Sequence, residues 1–325
     1  MRQLLELLTV TRGRVSIRTS VCETEALLTT RMALSRLATD RMSGADSHVV
    51  NVASVPHRSP FRYPGGKTWL VPFVRDWMDS LPNKPSVLCE PFCGGASVGL
   101  SMLFDGLVEH LVLVELDEDV SAVWQAMLNG DADGLVAKIG EFEVTQDSVR
   151  AILATPPKTT LERAFATIVR NRVQRGGILA PGASLMKRGE AGRGLKSRWY
   201  AQTLQKRIRN IASLRGRITF ILGDGLRYLR DNAGRSDIAF LIDPPYTVAG
   251  RRLYLHSMID HEQLFENVSK LRGEFLMTYD DAMPVELLAE RHSFDFVRLP
   301  MKNTHHRIMY ELVIGRDLGW ARVKA

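Results

Sequence analysis

The chain has 325 residues, of which 45% are hydrophobic, and a formal net charge of +7. It contains no unbroken apolar run of the roughly 18 residues that a membrane span needs, so we predict no membrane-spanning segment. The three cysteines, Cys22, Cys89 and Cys93, lack metal-ligand spacing and are too few for a disulfide framework. These features predict a globular protein of a reducing cytoplasm.

The positive charge is concentrated in one segment. Between Lys158 and Arg217 there are fifteen lysines or arginines and two acids, Glu162 and Glu190, which gives +13. Subtracting +13 from the total of +7 leaves −6 for the rest of the chain. A soluble chain that collects its whole positive excess in one segment is typical of a protein that binds a polyanion.

Residues 1–55 look like an appended extension. They contain seven arginines, no lysine and many hydroxyl residues, and Glu6 interrupts their short leucine pairs, which argues against a secretory signal. We predict a poorly ordered extension, with one marginal amphipathic helix over 23–42.

Two glycine-containing turns follow the extension. Tyr63-Pro-Gly-Gly-Lys67 predicts a tight turn that opens a helix. A short strand over 86–89, the turn Glu90-Pro-Phe-Cys-Gly-Gly95 and a helix over 98–104 resemble the opening of a nucleotide-binding βα unit. This turn is neither a full G-x-G-x-x-G pattern nor a Walker motif.

A second strand, 111–115, ends in the acid Glu115, 21 positions after Gly94. That spacing suits a carboxylate that binds ribose hydroxyls, with Asp117 as the alternative two positions on. A ribose-binding acid indicates a cofactor that contains adenosine, and the glycine turn suits a pyrophosphate poorly. S-adenosylmethionine contains adenosine and no pyrophosphate, so it meets both conditions.

Helices are predicted over 120–129, 134–139, 146–154, 161–173 and 199–214, and the last two belong to the basic segment. A strand over 217–222 then ends in Gly223-Asp224. Further strands are predicted over 274–278, 294–299 and 307–314. His305 and His306 lack a nearby third ligand, so we predict no metal site.

The most informative stretch is Asp243-Pro-Pro-Tyr246, which directly follows the apolar strand 238–242. The two prolines remove two backbone donors and fix two φ angles, so carbonyls at the strand end are left free. A carboxylate, free carbonyls and an aromatic ring then meet at the carboxyl end of a strand, where open α/β sheets bind ligands. A flat group that carries an NH₂ fits these acceptors.

Four motifs occur in this order along the chain: Tyr63-Pro-Gly-Gly-Lys67, Glu90-Pro-Phe-Cys-Gly-Gly95, Gly223-Asp224 and Asp243-Pro-Pro-Tyr246. Their order resembles that of the Dam-type (alpha group) DNA adenine-N6 methyltransferases, over about residues 58–316. The family's usual Trp-Ala-Gly-Gly-Lys is Tyr-Pro-Gly-Gly-Lys in this chain, and its second-strand Asp is Glu115. The resemblance implies an α/β, Rossmann-like S-adenosylmethionine-dependent methyltransferase sheet with an antiparallel last strand. It also implies a small helical target-recognition domain at 156–217, inserted into a catalytic domain formed by 56–155 and 218–325.

The resemblance also implies roles for individual residues. The catalytic motif is Asp243, Pro244, Pro245 and Tyr246, with Tyr246 stacked on the target base. Contacts to the cofactor are implied for Tyr63, Lys67, Glu90, Pro91, Phe92, Gly94, Glu115, Asp224 and Asp243. In the basic segment, candidate DNA contacts are Arg170, Asn171, Arg172, Gln174, Arg175, Lys187, Arg188, Lys196 and Arg198, of which Asn171 and Gln174 best suit adenine edges.

The expected reaction is methyl transfer to the 6-amino group of a flipped adenine in a specific double-stranded DNA sequence. Transfer to the 4-amino group of cytosine has the same geometry and stays open, although Asp at 243 favours adenine. An RNA or protein-amide methyltransferase and a catalytically inactive DNA-binding relative also stay open. The resemblance leaves undecided whether a cognate restriction endonuclease exists, and whether the enzyme is a monomer or a weak dimer.

Overall fold

The computed structural model describes residues 49–62, 66–180, 183–187, 189, 192–245, 259–302 and 308–322. Within these residues, one sheet contains β1 (Val87–Glu90), β2 (His110–Glu115), β3 (Ile218–Leu222), β4 (Ile238–Ile242), β5 (Phe275–Asp280), β6 (Asp295–Lys302) and β7 (Ile308–Gly315). The spatial order is β3-β2-β1-β4-β5-β7-β6. Each end of every predicted strand therefore lies within three residues of the observed end.

The sheet is mixed, and its order creates one crevice for a ligand. Strands β3, β2, β1, β4 and β5 are parallel, whereas β7 is antiparallel to both β5 and β6. The chain leaves β1 toward β2 on one side and returns to β4 on the other, so the switch point lies between β1 and β4. The prediction of an α/β, Rossmann-like sheet with an antiparallel last strand is confirmed.

The observed helices confirm those predicted from the periodicity of the sequence. They are α1 (Val71–Ser80), α2 (Ser97–Phe104), α3 (Glu118–Leu128), α4 (Ala132–Glu141), α5 (Gln146–Ala154), α6 (Thr160–Val173), α7 (Ala201–Ser213), α8 (Gly225–Asp231), α9 (His261–Ser269), α10 (Met283–Arg291) and α11 (Gly319–Arg322). No helix in the described residues is long and apolar enough to cross a bilayer.

The core lies on both faces of the sheet, which explains the continuous apolar run of β4. All five of its residues are buried, because Ala239 and Leu241 join one apolar layer while Ile238, Phe240 and Ile242 join the other. Strands covered on both faces read as unbroken hydrophobic runs. Burial of β4 fixes the position of Asp243, the residue after its end.

The helices of the basic segment pack against helices that precede the segment in the chain: α6 contacts α3, and α7 contacts α4. Thr159 caps α6 by accepting a hydrogen bond from the Glu162 amide. Within the expected extension, residues 1–48 lie outside the described residues, whereas Val55 is buried in the core. The predicted division into extension, catalytic domain and recognition domain stays a prediction.

Candidate active site

The Asp243 carboxylate lies at the carboxyl end of β4 and is held by two side chains. The Thr278 hydroxyl on β5 donates to Oδ1 at 2.8 Å, and Lys67 Nζ lies 3.1 Å from the same oxygen. Both of these contacts fall on Oδ1. Since the side chain is one-third exposed, Oδ2 is the oxygen that can accept a hydrogen from a ligand.

Lys67 lies between two carboxylates. Its Nζ is also 3.1 Å from Glu311 Oε2 on β7, and both side chains are almost fully buried. Burial by itself lowers the pKa of Lys67, but the charges of Asp243 and Glu311 outweigh it and raise the pKa above its ordinary value. Lys67 therefore stays an ammonium that holds the Asp243 carboxylate, and its expected contact with the methionine end of the cofactor stays a prediction.

The glycine turn after β1 needs unusual backbone angles. Gly94 has φ of +45° and Ala96 has φ of +47°, which places this turn in the left-handed region. Buried Glu90 accepts a hydrogen bond from the Gly99 amide of α2. Burial raises the pKa of Glu90 to about 8, the Gly99 amide opposes the shift and Asp243 adds to it. Glu90 is therefore a buried carboxyl group close enough to Asp243 to feel its charge, and its expected contact with the cofactor stays a prediction.

Glu115 joins the tip of β2 to this turn. Its Oε2 accepts from the Gly94 amide at 2.9 Å, and its Oε1 accepts from the amides of Leu116 and Asp117 at 2.9 Å. Asp117 instead caps α3 by accepting from the amides of Asp119 and Val120. The geometry therefore favours Glu115 over Asp117 as the acid that closes the turn.

We expect cofactor affinity to depend on the protonation of Glu115. Burial raises the pKa of Glu115 to about 7, against the backbone hydrogen bonds that lower it. Because a carboxylate accepts ribose hydroxyls better than a carboxylic acid, S-adenosylmethionine should bind more tightly as the pH rises from about 6 to about 8. Isothermal titration across this range should show the trend in wild type and a flatter profile in Glu115→Gln; equal pH dependence in both would contradict this role.

The tip of β3 completes the same edge. The Gly223 amide donates to the Glu115 carbonyl at 2.9 Å, and exposed Asp224 caps α8. A Cβ at Gly225 would clash with the Pro91 carbonyl oxygen and lie 2.8 Å from Phe92, so the close approach of these two loops requires glycine. The loop after β1, with Pro91, Phe92 and Gly94, and the loop after β3, with Asp224, thus lie at the carboxyl edge of the sheet, and their contacts with the cofactor stay predictions.

The remaining predicted residues form two groups, those that the structure describes and those outside the described residues. Pro244 is buried and Pro245 is partly buried beside Asp243. Tyr63, Arg188, Tyr246 and the histidine pair at 305–306 lie outside the described residues, so their roles stay predictions.

Two of the expected DNA contacts are corrected by their burial. Asn171 is fully buried; its amide nitrogen donates to the carbonyls of Arg62 and Gly177, and its Oδ1 accepts from the Arg62 amide. Arg172 is 4% exposed and donates to the Pro60 carbonyl. Both side chains tie α6 to the segment before the first glycine turn, so neither is available to read bases in this structure.

The other basic-segment residues differ in exposure. Arg170 pairs with Asp119 at 2.6 Å, Gln174 donates to the Ala183 carbonyl at 3.3 Å, and Arg198 is partly buried. Arg175, Lys187 and Lys196 are exposed, so these three remain the most accessible to a DNA backbone.

Sequence reasoning missed Thr278 and Glu311, two residues that contact Asp243 and Lys67. Threonine is common in strands, so Thr278 carried no signal. Glu311 carried one: it is an acid that directly precedes the apolar run Leu312–Ile314 in the predicted last strand. An acid at the start of the buried part of a strand needs a partner, which Lys67 supplies.

The strand order and the crevice between β1 and β4 define an S-adenosylmethionine-dependent methyltransferase fold. Residues 63–152 match the family model described as D12 class N6 adenine-specific DNA methyltransferase. This match confirms the resemblance to the Dam-type enzymes, and the family and the fold imply S-adenosylmethionine as methyl donor. Glu115 at the tip of β2 and the glycine turn after β1 are residues that fit S-adenosylmethionine.

Solved structures of other methyltransferases also match the chain. The rRNA methyltransferase aviRa from Streptomyces viridochromogenes is 17% identical over 84% of this chain and 93% of its own, with a TM-score of 0.35. A precorrin-6y C5,15-methyltransferase from Geobacter metallireducens is 11% identical over 75% of this chain and 85% of its own, with a TM-score of 0.31. These likenesses carry no conclusion about substrate. No curated protein matches the chain.

Proposed function

We propose that this methyltransferase transfers a methyl group to the 6-amino group of an adenine in a specific sequence of double-stranded DNA. The observation that carries the proposal is the Asp243 carboxylate, held on Oδ1 by Lys67 and Thr278 and exposed on its other side next to Pro244. The match of residues 63–152 to an adenine-specific DNA family supports the choice of base and polymer.

The 6-amino group of adenine is a weak nucleophile because its lone pair is delocalised into the ring. When bound, S-adenosylmethionine supplies a methyl group activated by its sulfonium. Asp243 Oδ2 and the Pro244 carbonyl would accept the two amine hydrogens, which favours a pyramidal nitrogen with an available lone pair. The protein thus acts by positioning and electrostatic stabilisation, with no covalent intermediate.

Thr278 would act on the reaction through Asp243, as a positioning residue. We expect Thr278→Val to lower kcat about 10- to 100-fold with little change in KM, because a hydrogen bond to a charged group contributes about 1.5–3 kcal/mol. Thr278→Ser keeps the hydroxyl and should restore most of the rate. Steady-state kinetics on duplex DNA test this, and equal losses in both variants would show a packing role instead.

The duplex itself would be bound by the exposed lysines and arginines of the basic segment, chiefly through phosphates. An exocyclic amine inside a duplex cannot reach Asp243, so the target base must leave the stack. Tyr246 is the residue that we expect to stack on the flipped base.

Transfer of labelled methyl groups tests the substrate class. Purified protein should label unmethylated duplex DNA from S-adenosylmethionine and leave RNA unlabelled. Labelling of RNA alone would contradict the proposal, and binding of DNA with no transfer would indicate an inactive DNA-binding relative. Label in 4-methylcytosine instead of adenine would identify a cytosine-specific enzyme.

A further inference from the structure

A basic pocket lies away from the candidate active site, between the segment 56–58 and α7. It has a volume of about 230 Å³. Its polar lining consists of His57, Arg58, Thr203, Lys206, Arg207 and Asn210. No acid belongs to this lining in the described part of the chain. Phe104, at the last turn of α2, closes one wall. Since α2 begins at the glycine turn, its eight residues separate the pocket from the cofactor crevice by about 12 Å.

The positive charge around this pocket is poorly balanced. Burial lowers the pKa of Arg207, and the charge of Arg62 lowers it further. The same two arginines add to the effect of burial on the lowered pKa of His57. Arg207 Nη1 donates to a neutral group, the Ser59 carbonyl, at 3.0 Å. Like charges held this close together store repulsion that a bound anion would relieve.

One carboxylate beside the pocket does not neutralise it. Asp105 lies 3.8 Å from Arg58, but the same carboxylate is held more closely by Arg75, at 2.5 Å. Behind the pocket, almost fully buried Arg172 adds another guanidinium, within electrostatic reach of Arg207. The excess of cations therefore extends from the surface into the protein.

We propose that this pocket binds a phosphate group. The pocket offers guanidinium and ammonium groups, the hydroxyl of Thr203 and the amide of Asn210. All of these donate hydrogen bonds, which the tetrahedrally arranged oxygens of a phosphate accept. The phosphate comes either from a nucleic-acid backbone or from a free phosphate ligand. The nucleic-acid source rests on the proposed function, whereas the free-phosphate source is independent of it.

The test uses full-length protein and the double variant His57→Gln/Lys206→Gln, since both side chains are exposed and lie outside the candidate active site. Arg227→Gln, on α8 at the other face of the sheet, is the matched control. Inorganic phosphate is titrated against thermal unfolding, with sodium chloride holding the ionic strength constant. For a free-phosphate site, the melting temperature should rise in wild type and control but not in the double variant.

The second arm measures the affinity for a DNA duplex as a function of salt. If a backbone phosphate occupies the pocket, the slope of log K against log salt should become shallower by about one in the double variant only. The proposal is overturned if the double variant behaves like wild type in both arms. Methyl transfer by wild type, measured on the same samples, fails only if the proposed function fails.

Discussion

Replacing Asp243 by alanine or asparagine should lower kcat by at least about 1,000-fold while DNA binding stays close to wild type. In the proposed mechanism the carboxylate is the acceptor whose interaction with the amine strengthens as the nitrogen becomes pyramidal, so its loss should affect the transition state more than the bound state. Asparagine is the sharper variant, because it keeps the shape but offers an NH₂ that cannot accept the amine hydrogen when it faces the substrate.

The matched control for this variant is Asp237→Asn. Asp237 immediately precedes the same strand at its opposite end and pairs with Arg235 on the surface. It should retain normal turnover. Single-turnover transfer and a DNA binding titration are measured for wild type and all variants. Wild-type turnover in Asp243→Asn would contradict the assignment of the catalytic carboxylate.

Replacing Lys67 by methionine should destabilise the fold strongly at neutral and alkaline pH. Lys67 is 7% exposed and Glu311 is 4% exposed, so removing the ammonium leaves a buried carboxylate without this cation. Breaking a buried ion pair from one side costs about 3–5 kcal/mol of the free energy of unfolding. The variant should also lose activity, because Asp243 loses one of the two groups that hold Oδ1.

The pH dependence of this loss has a definite sign. Without Lys67, the pKa of Glu311 in the folded state should rise above its unfolded value, so the folded state holds a proton that the unfolded state releases. Stability is then lost progressively as the pH rises above about 4.3. Denaturant unfolding of Lys67→Met should therefore show a larger deficit at about pH 8 than at about pH 5.

Two further variants separate charge from packing. Lys67→Met/Glu311→Gln removes the stranded charge and should regain part of the stability at about pH 8. Lys270→Met removes a surface ammonium whose partner, Glu266, is exposed, and should leave the stability nearly unchanged. A deficit in Lys67→Met that is independent of pH, and that the double variant does not reduce, would refute an electrostatic role.

The strands and the position of Asp243 can be predicted from the sequence because local signals agree there. Strand β4 is a continuous apolar run that ends in two prolines, and its bounds, Ile238–Ile242, match the prediction. The acid at the tip of β2 is likewise identifiable from its spacing to Gly94. Such features depend on neighbours in the chain, which periodicity and turn chemistry report.

The contacts of Lys67 with Glu311 and of Asn171 with Arg62 could not be predicted in this way. Each joins residues more than a hundred positions apart, so no local pattern encodes it. The place of Asn171 in the basic segment predicts a base-reading side chain, and that prediction is wrong. The packing of α6 turns this side chain toward the backbone of Arg62 and Gly177, where a buried amide satisfies polar groups that would otherwise be unpaired.

The most direct test of the central claim identifies the methylated nucleoside. Unmethylated duplex DNA is incubated with S-adenosylmethionine and either wild type or Asp243→Asn, then digested to nucleosides and analysed by mass spectrometry. We predict N6-methyladenine with wild type and none with the variant. Methylation of any other base, or N6-methyladenine at equal levels from both proteins, would contradict adenine methylation through Asp243.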